Sequence, residues 1–262
     1  MIGMNNNNLA VVHSDAKIGQ NTVIEPFAYV ANNVVIGDNC WIGPHAVIMS
    51  GSRIGNNCKI FPGAVVGGAP QDLKYDGEDS IVELGNNVTV REYCTLNRGT
   101  KASQVTKIGN NCLLMAYVHV AHDCLIGDYS ILANNVNLAG HIEIGKNAVL
   151  GGLTAVHQFV KIGEHSMIGG GSLVRKDVPP YVKAAREPLS YVGINGVGLR
   201  RRQFTAEQIA TIQEIYRLIF VRGNNTTQAI KAIETQIPPS AERELILSFM
   251  QQSKRGIMRG LK

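Results

Sequence analysis

Aromatic side chains and charges are both scarce in this chain. Of its 262 residues, 6% are aromatic, 17% are charged and only one is tryptophan, whereas 45% are hydrophobic. A core of that size without aromatic bulk has to be built from Val, Ile, Leu and Ala in thin, regularly stacked layers. The length fits one large domain, or a main domain with an appendage.

Other absences exclude whole classes of protein. No apolar run approaches the ~20 residues of a membrane-spanning helix, and the start, MIGMNNNNLAVV, lacks the basic and apolar regions of a signal peptide. We therefore expect a cytoplasmic protein without a membrane span. Because no Lys/Arg stripe is interleaved with aromatics, we expect no nucleic-acid partner. Residues 185–262 do carry 12 Lys/Arg against 6 Asp/Glu, which favours an anionic partner for that part.

Aliphatic residues recur every six positions over most of the chain. The series begins at Val12, ends at Val174 and keeps one phase at twenty-five positions. Six is not a helical period but three times the strand period of two, so it predicts short strands joined by regular corners. A mostly small residue follows four positions after each aliphatic, and the Gly and Asn residues between them tolerate the left-handed backbone of a sharp corner. These are hexapeptide repeats, which form a parallel β-helix with three hexapeptides in each triangular coil.

Two segments interrupt the repeats without changing their phase. Residues 67–80 and 97–107 should project as loops near these positions. Long loops on a rigid solenoid usually cover a ligand or contact a neighbouring chain. The alternative is that they are insertions without a role.

The repeats stop before the last third of the chain. Helical patterns follow, the first opened by a capping box at Thr205 and Gln208. We therefore predict a mainly β protein, with a β-helix over residues 1–184 and an α-helical domain over residues 185–262.

The five cysteines fit the small inward position of the repeat. Cys40, Cys58, Cys94 and Cys112 are separated by multiples of 18, so we expect them in one column, with Cys124 in the same role on another face. In a cytoplasmic protein we interpret them as reduced packing residues.

Histidines gather at one place on the predicted solenoid. Residues 18 apart stack on adjacent coils, with neighbouring strands ~4.8 Å apart. This stacking collects a patch of six residues over three coils: His122, Asp123, Gly140, His141, His157 and Gln158. His119 lies one corner away. Outward histidines beside an aspartate are not needed for packing, and they point to a site. A zinc site is the first alternative, but no fixed metal-ligand spacing is present, so we expect no metal.

Six motifs in a fixed order carry a more specific resemblance: QDLKY (71–75), HVAHDC (119–124), LAGHI (138–142), AVHQF (155–159), DVPPY (177–181) and GLRRR (198–202). With them the chain closely resembles the acyl carrier protein-dependent UDP-N-acetylglucosamine O-acyltransferases, which begin lipid A synthesis. The resemblance covers nearly the whole chain, including the first loop and the tail. It implies a left-handed winding of the β-helix and a homotrimer with active sites in the clefts between neighbours.

The resemblance also implies a reaction. The family moves a (R)-3-hydroxyacyl group from the phosphopantetheine thioester of acyl carrier protein to the 3-hydroxyl of the sugar. His122 would be the general base, because neutral imidazole can take the proton of an attacking hydroxyl, and Asp123 would orient it. Gly140, one coil above, would present its N–H to the developing oxyanion. Both substrates can bind together, so the reaction needs neither an acyl-enzyme nor a cofactor.

Further residues take binding roles through the same resemblance. Asp72, Lys74, His119, His141, His157 and Gln158 would surround the sugar and nucleotide, and Asn195, Arg201 and Arg202 would hold the uridine diphosphate. Gly170 aligns with a ruler of acyl length, where a glycine predicts a chain of fourteen carbons or more. The competing interpretation makes Gly170 one of the plain glycines of IGGGSL. Val197 stands where many relatives have Glu.

Three other functions compete with this one. The N-acyltransferase of the same pathway usually has a separate N-terminal uridine-binding domain, whereas the repeats here begin at Val12. A CoA-dependent acetyltransferase would lack the loop and tail motifs. A non-catalytic β-solenoid scaffold, from a different class altogether, would need no histidine patch.

Overall fold

The computed structural model of the protein describes residues 9–260. Residues 1–8, where the sequence predicts no signal peptide, lie outside the described part, as do residues 261–262. The described chain forms three parallel sheets that wind around one another as a β-helix, followed by four helices. This confirms the predicted mainly β class. No helix in the described part is both long and apolar enough to span a membrane.

Every turn of the β-helix contributes one short strand to each sheet. The first sheet consists of β1 Val11–Val12, β4 Tyr29–Val30, β7 Val47–Ile48, β10 Val65–Gly68, β13 Thr95–Asn97, β16 His119–Val120, β19 Asn137–Leu138, β22 Ala155–Val156 and β25 Leu173–Val174. The second consists of β2 Lys17–Ile18, β5 Val35–Ile36, β8 Ser52–Ile54, β11 Ile81–Leu84, β14 Val105–Ile108, β17 Leu125–Ile126, β20 Glu143–Ile144 and β23 Lys161–Ile162. The third begins with β3 Val23–Ile24, β6 Trp41–Ile42, β9 Lys59–Ile60, β12 Thr89–Val90, β15 Leu113–Leu114, β18 Ile131–Leu132, β21 Val149–Leu150 and β24 Met167–Ile168, and it ends with β26 Val182–Ala185 and β27 Ser190–Ile194.

The six-residue period places two side chains of each hexapeptide in the interior. From Ile24 on, the aliphatic of each hexapeptide is buried, as at Ile24 and Leu132, and the small residue directly before the next strand is buried too, as at Ala28 and Ala46. Large and small side chains therefore alternate around a narrow core without aromatic residues, as the composition predicts.

Three corners connect the sheets, and they recur on every coil. The histidine corner leads from the first sheet to the second and contains residues 121–124 and 139–142. The asparagine corner leads from the second sheet to the third, and the third corner leads back to the first. At most corners one residue has a positive φ, for example Asn57, Asp123 and His141. Asn and Asp tolerate this left-handed backbone better than other non-glycine residues.

The cysteine column differs from the prediction in one member. Cys58 pairs with Val88 in the next coil, 30 residues on, because the first insertion lengthens that coil. Cys40, Cys58 and Cys112 share a column with Val88, whereas Cys94 belongs to the next corner. All five cysteines are free and buried, as expected for reduced packing residues.

The C-terminal part begins with a hairpin rather than a helix. Strand β26 continues the third sheet and β27 pairs with it antiparallel up to Ile194, so the predicted boundary after residue 184 falls inside β26. The helices are α1 Gly196–Arg201, α2 Ala206–Phe220, α3 Thr226–Gln236 and α4 Ala241–Gln252. The predicted capping box at Thr205 and Gln208 is present. The buried Tyr216 donates its hydroxyl to the Pro180 carbonyl and so fastens α2 to the end of the β-helix.

Candidate active site at the histidine corner

Both insertions leave the β-helix at the histidine corner. The first loop, residues 69–80, joins β10 to β11, and the second loop, residues 98–104, joins β13 to β14. Because β13 pairs with β16, the second loop lies directly below the coil that carries His122. The loops therefore cover the patch, and only 12% of the outward-facing His122 side chain is exposed.

His122 and Asp123 form the central contact of the site. The Nδ1 atom of His122 lies 2.7 Å from Oδ2 of Asp123. A carboxylate can only accept hydrogen bonds, so Nδ1 must be the donor, and the neutral imidazole keeps its lone pair on Nε2. The nearest carboxylate oxygen to Nε2 belongs to Asp72, at 3.8 Å, which is beyond hydrogen-bond distance. The arrangement presents a basic nitrogen at the surface of the coil.

The second loop holds the Asp123 carboxylate. Thr100 donates its backbone N–H to Oδ1 at 3.0 Å and its hydroxyl to Oδ2 at 2.7 Å, while the Ser103 hydroxyl also donates to Oδ1. Burial raises the pKa of Asp123, but the hydrogen bonds from Ser103, His122 and Thr100 outweigh it and lower the pKa to about 2. The side chain is therefore an anion at neutral pH although it is only 1% exposed.

Gly140 lies against the His122 ring. A Cβ atom at this position would come within 2.6 Å of Cε1 and 2.7 Å of Nε2 of the imidazole. Any larger residue would therefore displace the ring. The Gly140 N–H has no acceptor within residues 9–260, so it is free to bind a ligand oxygen.

His141 packs at the same corner, one coil above Asp123. Its Nε2 lies 3.7 Å from Oδ2 of Asp123, and its ring meets that of His122 edge-on at 5.0 Å between centroids. On its other side it stacks on Phe159 at 4.6 Å. The repeat predicts the place of His141, and the stacked ring of Phe159 above it was missed although Phe159 is the next residue in the column.

The first loop adds Asp72 and Lys74 to the site. A cavity of about 160 Å³ lies between the loops and His141. Its lining consists of Asp72, Lys74, Tyr75, Glu78, Thr100, Lys101, Ala102 and His141. Polar and charged side chains of both signs surround it, which suits a polar ligand such as a sugar.

The remaining predicted patch residues lie further out. His119 is on the first sheet, where its Nδ1 is 2.7 Å from the Thr95 hydroxyl, and burial lowers its pKa. His157 and Gln158 are exposed two coils above Asp123. Arg255 approaches Nδ1 of His157 at 3.2 Å, a contact from the C-terminal segment that sequence reasoning did not foresee.

The residues predicted for the uridine diphosphate lie at the asparagine corner. Arg202 donates to Asn147 at 2.8 Å, and with Arg201 it lines a cavity of about 500 Å³. The amide of the buried Asn195 is used within the chain, since it caps α1 and donates to the His165 carbonyl at 2.8 Å. Within one chain, these three residues and His122 lie on different corners of the β-helix.

Gly170 occupies the third corner. A Cβ atom built there would meet the Gly152 carbonyl at 3.1 Å and otherwise little. The residue is exposed, so the surface above it is open. The three predicted sets of site residues therefore occupy the three different corners.

One group in the described part offers enough ligand atoms for a metal ion. Atoms of His122, Asp123 and His141 all lie within 4.8 Å of one another. Both Asp123 oxygens already accept hydrogen bonds, however, and a cation would have to displace them.

Comparison with known proteins identifies the fold and the motifs together. The model of bacterial transferase hexapeptide repeats matches residues 15–45, 33–68 and 106–140, and the model of UDP N-acetylglucosamine O-acyltransferase domain 2 matches residues 177–258. An acyl-[acyl-carrier-protein]–UDP-N-acetylglucosamine O-acyltransferase of Sulfurihydrogenibium sp. is 57% identical over 95% of this chain and 92% of its own length. Its counterpart from Trichlorobacter lovleyi is 51% identical over 96% and 98%.

A solved structure agrees with these relatives. A UDP-N-acetylglucosamine acyltransferase of Bacteroides fragilis superposes with a TM-score of 0.95 at 50% identity, over 97% of this chain and 99% of that chain. The resemblance carried by the six motifs is thereby confirmed over both the β-helix and the tail. The chain belongs to the acyl carrier protein-dependent UDP-N-acetylglucosamine O-acyltransferases and is an O-acyltransferase of the hexapeptide-repeat type.

Proposed function

We propose that the chain transfers a (R)-3-hydroxyacyl group of fourteen carbons or more from acyl carrier protein to the 3-hydroxyl of UDP-N-acetylglucosamine, the first step of lipid A synthesis. The names of the relatives give an acyl carrier protein as the acyl donor and UDP-N-acetylglucosamine as the acceptor. One observation carries the proposal for the chemistry. Asp123 holds Nδ1 of His122, so Nε2 is a free base on a ring that lies against Gly140.

That geometry supports a direct displacement. The sugar oxygen attacks the thioester carbon and forms the new C–O bond while Nε2 of His122 takes the hydroxyl proton. Negative charge that develops on the carbonyl oxygen is stabilised by the Gly140 N–H. The C–S bond then breaks, and the proton passes from His122 to the departing thiolate. Asp123 stabilises the imidazolium in between, and no cofactor takes part.

The separation of the predicted site residues supports a homotrimer with intersubunit sites. Arg201, Arg202 and Gly170 cannot face His122 within one chain, because they lie on other corners of the prism. Neighbouring β-helices around a threefold axis can set one corner against another and so complete the site. The positive tail, with twice as many Lys/Arg as Asp/Glu, would attract the acidic carrier protein.

An assay with the purified protein tests the reaction and the base. It uses UDP-N-acetylglucosamine with 3-hydroxyacyl carrier proteins of several chain lengths and compares wild type with His122→Ala. We expect the variant to lose between about 100- and 10,000-fold in kcat while it unfolds at the same temperature. His13→Ala, an exposed histidine at the same corner of the first coil, is the matched control and should keep full activity.

Each part of the proposal has its own contrary result. Robust turnover by His122→Ala would exclude it as the base. Preference for a ten-carbon donor would overturn the assignment of Gly170 as a long-chain ruler. Loss of activity after dialysis against a chelator, with recovery on adding zinc, would favour the metal site instead.

Mixed trimers test the intersubunit site. Equal amounts of His122→Ala and Arg202→Ala chains are unfolded together and refolded into trimers. With random assembly, about a quarter of the interfaces then place an intact His122 next to an intact Arg202 of the neighbouring chain. We expect roughly that share of the wild-type activity from two inactive proteins. No recovery would mean that both residues act within one chain.

A further inference from the structure

The second loop contributes hydrogen-bond donors to the Asp123 carboxylate. Its six extra residues bring Thr100 and Ser103 over the corner of the following coil, where they reach the Asp123 carboxylate. Thr100 is only 7% exposed. Neither residue contacts Nε2 of His122, so neither is placed to touch the reacting atoms.

The four hydrogen bonds use the whole carboxylate. Oδ1 accepts from the Thr100 N–H and the Ser103 hydroxyl, and Oδ2 accepts from the Thr100 hydroxyl and His122 Nδ1. The Asp123 backbone is fixed as well, since its N–H donates to the Thr106 hydroxyl at 2.8 Å. A carboxylate held on all sides cannot rotate away from the imidazole or accept a proton without losing hydrogen bonds.

The loop itself is braced against the first loop. The Lys101 N–H donates to Glu78 at 2.9 Å, and Arg98 donates to the Tyr75 hydroxyl at 2.9 Å. Both contacts join the segment that holds Asp123 to the segment that carries Asp72. The donors therefore sit on a supported loop and not on a free one.

We propose that Thr100 and Ser103 are positioning residues of the acyl transfer, which act by fixing the Asp123 carboxylate and, through it, the tautomer and ring plane of His122. This inference rests on the proposed role of His122 as the base. It gives the second insertion a function, where the sequence left open whether it had one.

Variants that remove one hydroxyl at a time test the inference. Thr100→Val keeps the size of the side chain and the backbone N–H, and Ser103→Ala removes only an oxygen. We expect each to lower kcat about 10-fold and the double variant about 100-fold, as for other groups that orient a catalytic side chain. The KM for UDP-N-acetylglucosamine should stay within about twofold, and Thr100→Ser should restore kcat.

A double-mutant cycle separates positioning from loss of structure. In an Asp123→Ala background the carboxylate is gone, so Thr100→Val should cost little more. Thr22→Val is the matched control. Thr22 is also 7% exposed, and its hydroxyl donates to Gly37 at the asparagine corner. It should lower stability without lowering kcat.

Two results would overturn the inference. One is a Thr100→Val, Ser103→Ala double variant whose kcat stays within about twofold of wild type; the other is an equal loss in the Asp123→Ala background. A wild type inactive on every donor would instead reject the proposed function. The ¹⁵N resonances of His122 then still decide the positioning, which predicts Nδ1–H in wild type and a mixture of tautomers in the double variant.

Discussion

The asparagine corner and the histidine corner of the β-helix share the same backbone geometry but carry different side chains. At the asparagine corner, Asn and Asp side chains accept the N–H of the coil below, at 2.7 to 2.8 Å. The pairs are Gln20 with Asp38, Asp38 with Asn56, Asn56 with Asn86, Asn86 with Asn110, and Asn110 with Asp128. At the histidine corner the equivalent positions are His122, Gly140 and Gln158, and this ladder is missing there. The ladder is therefore a feature of the asparagine corner, and the corner that carries His122 lacks it.

The two corners also differ in the residues that occupy the position of positive φ. On the asparagine corner it is filled mostly by asparagine, at residues 21, 39, 57, 87, 111 and 147. At the histidine corner it is filled by Asn33 in the second coil, but by Asp123, His141 and Phe159 in the coils of the candidate site, all three with φ near +60°. Phe adopts this left-handed conformation less readily than Asn. Sites that depart from the stabilising pattern of their own fold are where function is expected.

The largest effect should come from restoring a side chain at Gly140. In Gly140→Ala the new Cβ would lie 2.6 Å from the His122 ring, so the imidazole has to move away from its partners. We expect kcat to fall between about 100- and 10,000-fold, as on loss of the base. Steady-state kinetics and a thermal unfolding curve measure the two effects.

The His122→Ala background supplies the control for this variant. There is then no ring to displace, so Gly140→Ala should cost little further activity. Equal losses in both backgrounds would show that the methyl group blocks substrate rather than the base.

A histidine at the asparagine corner predicts a pH effect on stability. Burial, with the charges of Arg202 and Lys146, lowers the pKa of His165 to about 4. Below pH 6.5 His165 is protonated in the unfolded chain but stays neutral in the folded chain. The free energy of unfolding therefore decreases as the pH is lowered from 6.5 to about 4. The loss can reach about 3 kcal/mol per chain.

Urea unfolding at a series of pH values measures this loss. His165→Asn, which also returns the position to asparagine, should flatten the dependence between pH 6.5 and 4. An unchanged slope would assign the acid sensitivity to other groups.

The comparison also shows how far the sequence alone reaches. The period of six predicts the strands, the corners and the column of His122, Gly140 and Gln158, because each depends only on regular spacing. The period does not predict which residues of the neighbouring coil an inserted loop contacts. Thr100 and Ser103 were missed because a loop of irregular backbone sets their position. Cys94 was placed in the wrong column for the same reason, since the insertion changes the spacing between coils.

The tail was harder to interpret for another reason. The capping box of α2 is a local signal and was found, whereas the β26–β27 hairpin pairs through the third sheet and has no periodic pattern of its own. The predicted role of Asn195 came from a motif, and a motif does not show that the amide is already bonded within the chain.

A smaller effect is expected from the ladder itself. Asn56→Ala removes the acceptor of the Asp38 N–H and should lower the free energy of unfolding by about 0.5–1.5 kcal/mol. Activity per folded enzyme should not change. Asn134→Ala is the control, since Asn134 holds the same place in its hexapeptide at the third corner and makes no side-chain hydrogen bond within the described residues. Equal losses in the two variants would show that the ladder adds nothing beyond local propensity.

The smallest effect tests whether asparagine is the stabilising choice at a left-handed position. Tyr129 interrupts the asparagine series with φ +59° and a half-exposed ring. Tyr129→Asn should raise the free energy of unfolding by roughly 0.5 kcal/mol. His45→Asn, at φ +58°, would lose the stacking of His45 on Phe27 and should gain nothing. Tyr129 also lines the cavity of Arg201 and Arg202, so the stabilised variant should bind UDP-N-acetylglucosamine more weakly. A gain in stability without a rise in KM would mean that Tyr129 has no part in binding, and the exchange of stability for function would then be confined to the histidine corner.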